Sequence, residues 1–165
     1  MTHRYSRKPY LDLLTEHFRI PNPPIQVILG PRQVGKTTAI LSYLKEWQGK
    51  TFYHTADQIA PPDAAWLEKR WNEAREPSSS KKGPNLLVFD EVQKIPRWSE
   101  VVKKCFDEDR RKNFRLCVAL LGSSSLLVQR GLSESLAGRF EIIPFPHWSY
   151  KECHDAFGIS LDEYI

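Results

Sequence analysis

The sequence predicts an α/β fold in which a five-stranded parallel sheet is covered by helices on both faces. First, five short apolar runs alternate along the 165 residues with segments whose apolar side chains recur at helical spacing. Second, the run at 86–89 is continuously apolar, as strands are when helices cover both sides of a sheet. Third, proline and glycine residues separate these segments at the positions expected of connecting loops.

Strands are predicted at 25–29, 50–56, 86–90, 114–121 and 140–145. Helices are predicted at about 9–18, 37–47, 62–76, 98–110 and 126–136. The polar stretch at 76–84, which is rich in serine, lysine and proline, is predicted to be a loop or an insertion.

A phosphate-binding loop is predicted directly after the first strand. The run Gly30-Pro-Arg-Gln-Val-Gly-Lys-Thr37 has the pattern G-x-x-x-x-G-K-[ST], and the helix at 37–47 follows it. Backbone N–H groups of such a loop and the positive end of the helix point at the same anion. Gly30 and Gly35 permit a close approach that a side chain would block. Lys36 is expected to reach the β- and γ-phosphates, and the Thr37 hydroxyl is expected to ligate magnesium.

We therefore expect ATP with Mg²⁺ as the ligand of this loop. Arg32 within it either contacts phosphate or is exposed. The predicted nucleotide contacts are Gly30, Pro31, Arg32, Gln33, Val34, Gly35, Lys36, Thr37 and Thr38.

The apolar run at 86–89 is followed directly by two acidic residues, Asp90 and Glu91. Phosphoryl transfer requires charge neutralisation and an oriented water molecule rather than covalent chemistry by the protein. Asp90 is predicted to hold magnesium beside Thr37, and Glu91 is predicted to act as the general base that polarises the water. The alternatives are that Asp90 caps a loop and that Glu91 is a solvated surface acid.

Three further polar features are candidates for functional roles. Ser123 follows the apolar run at 114–121 and is predicted to bond the γ-phosphate or the attacking water, although serines there also serve as helix N-caps. Arg139 is a candidate arginine finger for a neighbouring subunit, with a surface salt bridge as the alternative. The basic stretch 110–115 is a candidate nucleic-acid contact or a solvated loop.

Composition narrows the class of protein. Lys and Arg number 24 against 20 Asp and Glu, a net charge of +4 that is compatible with nucleic acid but does not require it. The three cysteines, Cys105, Cys117 and Cys153, are widely spaced and show no zinc-binding pattern, so we expect a reduced, cytoplasmic protein. No apolar run in the sequence approaches 18 residues, and charges interrupt the N-terminal segment, so neither a membrane span nor a signal peptide is predicted.

Four motifs occur in order along the chain: Gly30–Thr38, Phe89–Pro96 followed by Trp98, Leu121–Leu126 and Ser135–Arg139. In their order and spacing they resemble those of the uncharacterised prokaryotic AAA+ ATPases of bacteria and archaea. The resemblance covers about 20–150 and implies a RecA-like core with strand order 5-1-4-3-2 and ATP and magnesium as ligands. It also implies that Asp90 and Glu91 form the Walker B pair and that Ser123 occupies the sensor 1 position.

We divide the chain into an N-terminal extension with a short helix at 1–24, an ATPase core at 25–150, and the start of a C-terminal region at 151–165. The family that the chain resembles continues with a helical lid and a further domain. Without a lid the adenine would be poorly enclosed, so we expect weak ATP binding and slow hydrolysis.

The leading functional hypothesis is an AAA+ ATPase whose hydrolysis of ATP drives a conformational change in a homo-oligomer or an attached domain. A small P-loop kinase is the second hypothesis, although a water-activating Glu91 would be of no use to a kinase. The third is a nucleotide-gated module that binds nucleic acid or protein without turnover.

Overall fold

The computed structural model describes residues 7–58, 63–76, 83–123 and 136–164. Five strands are formed: β1 (Ile25–Gly30), β2 (Thr51–Thr55), β3 (Asn85–Asp90), β4 (Leu116–Ser123) and β5 (Phe140–Pro144). The described helices are α1 (Lys8–Arg19), α2 (Lys36–Glu46), α3 (Ala64–Ala74), α4 (Trp98–Lys112), α5 (Tyr150–Phe157) and α6 (Leu161–Tyr164).

The five strands form one parallel sheet in the order β2-β3-β4-β1-β5. Counted from the other edge this is 5-1-4-3-2, so the predicted α/β class and the strand order implied by the resemblance are both confirmed. Because the strands are parallel, all their carboxyl ends lie on the same side of the sheet, where ligands bind in open α/β folds.

The core consists of two layers because the sheet is covered on both faces. Leu87 and Phe89 on β3 point into one layer, which contains Trp71 of α3 and the buried face of α4. Leu86 and Val88 alternate with them and point into the other layer, which is built on α1 and α2. Helices on both faces explain why the four central residues of β3, at 86–89, are all apolar.

β4 begins and ends two residues later than the predicted 114–121. Its ladder with β1 continues to the end of that strand and pairs Ser123 with Gly30. Ser123 is therefore the last strand residue, beside the start of the phosphate loop. The helix predicted at 126–136 lies almost entirely outside the described residues.

Side-chain caps set the starts of two helices. Asp63 Oδ1 accepts a hydrogen bond of 2.7 Å from the backbone N–H of Trp66, which starts α3 two residues later than predicted. Ser149 and Glu152 form a capping box that starts α5. Of the helices within the described ranges, none is both long and apolar enough to cross a bilayer.

Candidate functional site

The loop between β1 and α2 has the backbone conformation that its glycines allow. Gln33 and Gly35 both have left-handed backbone angles, with φ of 63° and 88°, and Gly35 immediately precedes α2. A Cβ atom at Gly30 would lie 1.9 Å from the carbonyl oxygen of Phe145, whose N–H donates to Leu29 O at 2.6 Å. Only glycine fits at position 30, because a neighbouring backbone already fills the space of a side chain.

Lys36 is folded back over this loop. Its side chain is only 7% exposed, and Nζ donates to the carbonyl oxygens of Gly30 at 2.9 Å and Pro31 at 2.6 Å. Burial lowers the pKa of the ammonium group, and the charges of Glu91 and Asp90 oppose that shift. The cation is thus incompletely solvated and held by neutral carbonyls, a state that an anionic ligand would improve.

Thr37 and Asp90 meet although 53 positions separate them in the chain. Thr37 Oγ1, in the first turn of α2, donates a 2.6 Å hydrogen bond to Oδ2 of Asp90 at the end of β3. Tyr53 on β2 donates its hydroxyl to the same oxygen at 2.8 Å. Burial and the bond to Asp90 raise the pKa of Tyr53, so its hydroxyl stays protonated. Asp90 is 4% exposed and is oriented from two sides.

The residues present fit a magnesium ion. Magnesium is generally bound by one or two carboxylates together with substrate phosphates and water, rather than by an all-protein cage. Thr37 and Asp90 supply one hydroxyl and one carboxylate at the mouth of the loop. Within the described part of the chain, no cluster of three or more His, Cys, Asp and Glu side chains forms a different metal site.

Glu91 has a left-handed backbone conformation, with φ of 56° and ψ of 37°. This conformation costs free energy in a residue other than glycine. Gln93 Nε2 donates to Glu91 Oε2 at 2.6 Å and lies 3.4 Å from Ser123 Oγ. Gln93 thereby joins the predicted base on the β3 loop to the predicted sensor at the end of β4.

Gln93 also carries an unused acceptor. Its Oε1 atom is buried and has no hydrogen-bond partner among the described residues. A buried amide oxygen without a partner is costly, so it offers a strong acceptor to a water molecule or ligand that enters this corner of the site.

Arg139 lies at the amino ends of the strands, opposite the phosphate loop. Its carbonyl accepts from the N–H of Ile25, the first residue of β1, whereas the phosphate loop follows Gly30, about 17 Å along the strand. The Arg139 guanidinium binds both carboxylate oxygens of Asp107 on α4, at 2.7 and 3.0 Å. The salt bridge considered as its alternative role is therefore present, and its action in a neighbouring subunit's site stays a prediction.

The basic stretch at 110–115 is used in part for structure. Arg110 Nη2 donates to the carbonyl oxygens of Asn22 and Pro23, at 2.6 and 2.7 Å, and so holds the chain just before β1. Lys112 pairs with Glu108 on its own helix. The loop residue Arg32 is exposed, in line with one of its two alternatives.

Sequence reasoning missed four residues that contact the site or its loop. Gln93 carried a weak local signal, since it is a polar residue just after the acid pair, whereas Tyr53 lies in the middle of the predicted strand 50–56 and is not marked by any strand end. Arg7 and Trp148 carried none. Trp148 Nε1 donates to the carbonyl oxygen of Val34 at 3.1 Å across a separation of 114 residues, which no local pattern reports.

The sheet order and the phosphate loop define the class of protein: a P-loop NTPase with an AAA+ core. Comparison with known protein families leads to the same class. The family described as "AAA domain" matches residues 22–154, and the chain belongs to this family.

Its curated relatives are themselves uncharacterised. The chain is 34% identical over 122 residues to the uncharacterized protein Rv2008c of Mycobacterium tuberculosis, a match covering 73% of this chain and 24% of the relative. It is 31% identical over 137 residues to the uncharacterized protein MJ1544 of Methanocaldococcus jannaschii, covering 81% and 28%. The matched region thus spans about a quarter of the length of these relatives.

Two solved structures share the fold at low sequence identity. The Aeropyrum pernix ORC1 protein in complex with DNA matches with a TM-score of 0.61 and 15% identity, over 96% of this chain and 49% of that one. Drosophila ORC bound to DNA matches with a TM-score of 0.66 and 14% identity, over 90% and 45%. At such identities the likeness establishes the fold alone.

Proposed function

We propose that the chain is an ATPase that hydrolyses ATP with magnesium and couples hydrolysis to a conformational change in an oligomer or an attached domain. The observation that carries this proposal is the 2.6 Å hydrogen bond between Thr37 and Asp90. It brings together the two side chains that would bind magnesium beside the phosphate loop, and Glu91 follows at the next position.

Each residue has a role in this reaction. Lys36 would exchange the carbonyls of Gly30 and Pro31 for oxygens of the β- and γ-phosphates. Thr37 and Asp90 would hold magnesium, which, when bound, neutralises charge on the phosphate oxygens.

Bond cleavage then requires an activated water molecule. Glu91 would hold that water and accept its proton as the water oxygen bonds to the γ-phosphorus, while the bond from the γ-phosphorus to the β–γ bridging oxygen breaks and ADP leaves. Gln93 would orient the Glu91 carboxylate, and Ser123 would bond the γ-phosphate or the water. The hydrogen bonds of Gln93 to both residues support this assignment.

Coupling to an oligomer rests on Arg139. Arg139 lies at the amino ends of the strands, away from the phosphate loop of its own chain. This position is compatible with insertion into the site of a neighbouring subunit, where Arg139 would stabilise charge on the transferred group. Breaking the Arg139–Asp107 pair would be part of assembly.

The test is phosphate release from ATP with and without magnesium by the wild-type chain, Glu91→Gln and the control Glu100→Gln. Glu100 is an exposed glutamate in the first turn of α4, and it pairs with Arg97, the residue just before that helix. Loss of a general base slows turnover by about 10²-fold or more, so Glu91→Gln should lose hydrolysis yet still bind ATP, whereas Glu100→Gln should match the wild type. Magnesium-independent release, or an unaffected Glu91→Gln variant, would disprove the proposal.

Release of phosphate without an added acceptor would also exclude the kinase hypothesis.

DNA is a candidate partner, because both solved neighbours are described as bound to DNA. If DNA is a partner, binding should weaken steeply as salt is raised. Absence of binding at low salt would remove DNA from consideration.

A further inference from the structure

Arg7 is a buried arginine that contacts the phosphate loop from outside the site. Its side chain is only 2% exposed and lies immediately before α1. The guanidinium forms an ion pair with Glu152 of α5, with Nε at 2.8 Å from Oε1 and Nη2 at 3.2 Å from Oε2. Nη1 also donates to the carbonyl oxygen of Pro146 at 2.8 Å. Arg7 thus joins the N-terminal segment to the segment that follows β5.

Three aromatic rings enclose the same guanidinium. Its central carbon lies 4.6 Å from the ring centroid of Tyr10, 4.5 Å from that of Phe145 and 5.2 Å from that of Trp148. Rings at these distances attract a cation and exclude water from it. Although burial alone would raise the pKa of Glu152, hydrogen bonds from Arg7 and Ser149 lower it, so the carboxylate stays charged opposite Arg7.

The carbonyl oxygen of Val34 is where this cluster contacts the phosphate loop. It accepts one hydrogen bond from Trp148 Nε1 at 3.1 Å and a longer one from Arg7 Nη1 at 3.4 Å. Val34 lies between the left-handed residues Gln33 and Gly35. The two donors therefore hold the peptide group that precedes Gly35, in the part of the loop where the backbone turns toward α2.

We propose that Arg7, Trp148 and Glu152 form a clasp whose function is to position the phosphate loop for nucleotide. The proposal rests on the ATPase function proposed above and deepens it. A phosphate loop binds tightly only if its N–H groups already converge, because ordering them on binding costs affinity. By fixing the Val34 carbonyl, the clasp holds the loop in that arrangement before nucleotide arrives. Arg7, Trp148 and Glu152 are positioning residues, since they act through the backbone of the loop.

The clasp predicts a specific kinetic signature. Because it orders the loop and takes no part in bond cleavage, its loss should raise the dissociation constant and the KM for ATP about 10-fold while kcat stays within about twofold. Arg7 and Trp148 act on one carbonyl group, so their combined loss should be smaller than the product of the single losses.

The test compares conservative variants of the clasp with matched controls elsewhere in the chain. Trp148→Phe removes the indole donor and keeps a ring, and Arg7→Lys keeps the charge and loses the planar fork. Trp47→Phe removes an indole donor to the Pro84 carbonyl, 2.9 Å away, at the other edge of the sheet. Arg110→Lys removes a guanidinium from the Asn22 and Pro23 carbonyls.

Nucleotide affinity is measured with fluorescent ADP, and thermal unfolding is measured without nucleotide. We expect Trp148→Phe and Arg7→Lys to weaken affinity about 10-fold and the two controls to leave it within twofold, even where all four lower the melting temperature. Wild-type affinity in Trp148→Phe, or equal weakening in Trp47→Phe, would overturn the clasp.

Binding of ADP does not depend on turnover, so the two proposals can fail separately. A chain whose ADP affinity depends on the clasp but that releases no phosphate would refute the ATPase and leave the clasp standing. A wild-type chain that fails to bind ADP would refute both.

Discussion

Tyr53 donates its hydroxyl to Oδ2 of Asp90 at 2.8 Å, the same oxygen that accepts from Thr37. β2 and β3 are neighbours in the sheet, and their register places Thr55 opposite Asp90, so the Tyr53 side chain reaches the acid from two residues earlier. The carboxylate is therefore oriented before any metal binds. Partners that orient metal ligands in this way commonly affect metal affinity strongly.

Tyr53→Phe should weaken the apparent affinity for magnesium about 10-fold in the phosphate-release assay. The ring remains in place, so stability should fall by only about 1 kcal/mol, the usual value of one hydrogen bond. Tyr43→Phe is the control, because Tyr43 is a buried tyrosine of α2 whose hydroxyl meets Thr15 rather than the site. Unchanged magnesium dependence in Tyr53→Phe would show that the bond does not orient Asp90.

Gln93→Ala should lower kcat about 10-fold and leave the affinity for ATP within twofold, because Glu91 would lose the amide that orients it. Single-turnover kinetics would separate this effect from product release. Lys94→Ala is the control, since Lys94 is the next residue and its ammonium group pairs with Asp57 rather than with the Glu91 carboxylate. A faster Gln93→Ala variant would mean instead that the amide restrains the base.

Lys36→Met should abolish the stabilisation of the chain by ATP without destabilising the chain itself. The pKa of Lys36 in the folded chain is lowered from 10.5 by burial, so its charged form opposes folding at neutral pH. The unfolding free energy of the variant at pH 7 should therefore lie within about 1 kcal/mol of wild type or above it.

The pH dependence of stability checks the sign of this effect. Between the lowered pKa and 10.5, the unfolded chain binds the Lys36 proton more readily, so wild-type stability should gain a contribution as pH rises through that interval. Lys36→Met lacks that contribution. Equal slopes in denaturant titrations of the two proteins across the interval would contradict the assignment.

Arg139→Ala tests whether this residue acts in a neighbouring subunit. The Arg139–Asp107 pair is partly exposed and worth about 0–1 kcal/mol, so the variant should fold normally. A mixture of Arg139→Ala with Glu91→Gln should recover ATPase activity that neither variant shows alone, because some interfaces would combine an intact arginine with an intact base. A mixture as inactive as its components would argue against action between subunits.

Gly30→Ala should destabilise the chain by about 3 kcal/mol or more, because the added Cβ would lie 1.9 Å from the backbone oxygen of Phe145. Gly83→Ala is the control, since the nearest atom to its added Cβ is 3.5 Å away, an ordinary contact. Denaturant unfolding monitored by circular dichroism measures both. Similar stabilities for the two variants would show that the strand ends can separate cheaply.

The sequence alone predicted the sheet and most of the candidate site. Continuous apolar runs, helical spacing and the glycine-lysine loop are local patterns, so they could be read without knowing the fold. The phosphate loop, Asp90, Glu91 and Ser123 were all placed at strand ends in this way. Since parallel strands end at one edge of a sheet, their proximity followed from topology.

Tertiary structure decided which side chains serve this edge. Tyr53 and Gln93 became partners of the acids through the register of β2 with β3 and the turn after β3, and Arg7 and Trp148 reached Val34 from positions 27 and 114 residues away. Periodicity and motifs report the local backbone, whereas a hydrogen bond between distant segments depends on how whole layers pack. The loop and the acids are thus encoded by local sequence, whereas the orientation of their side chains depends on strand register and on how the helices pack against the sheet.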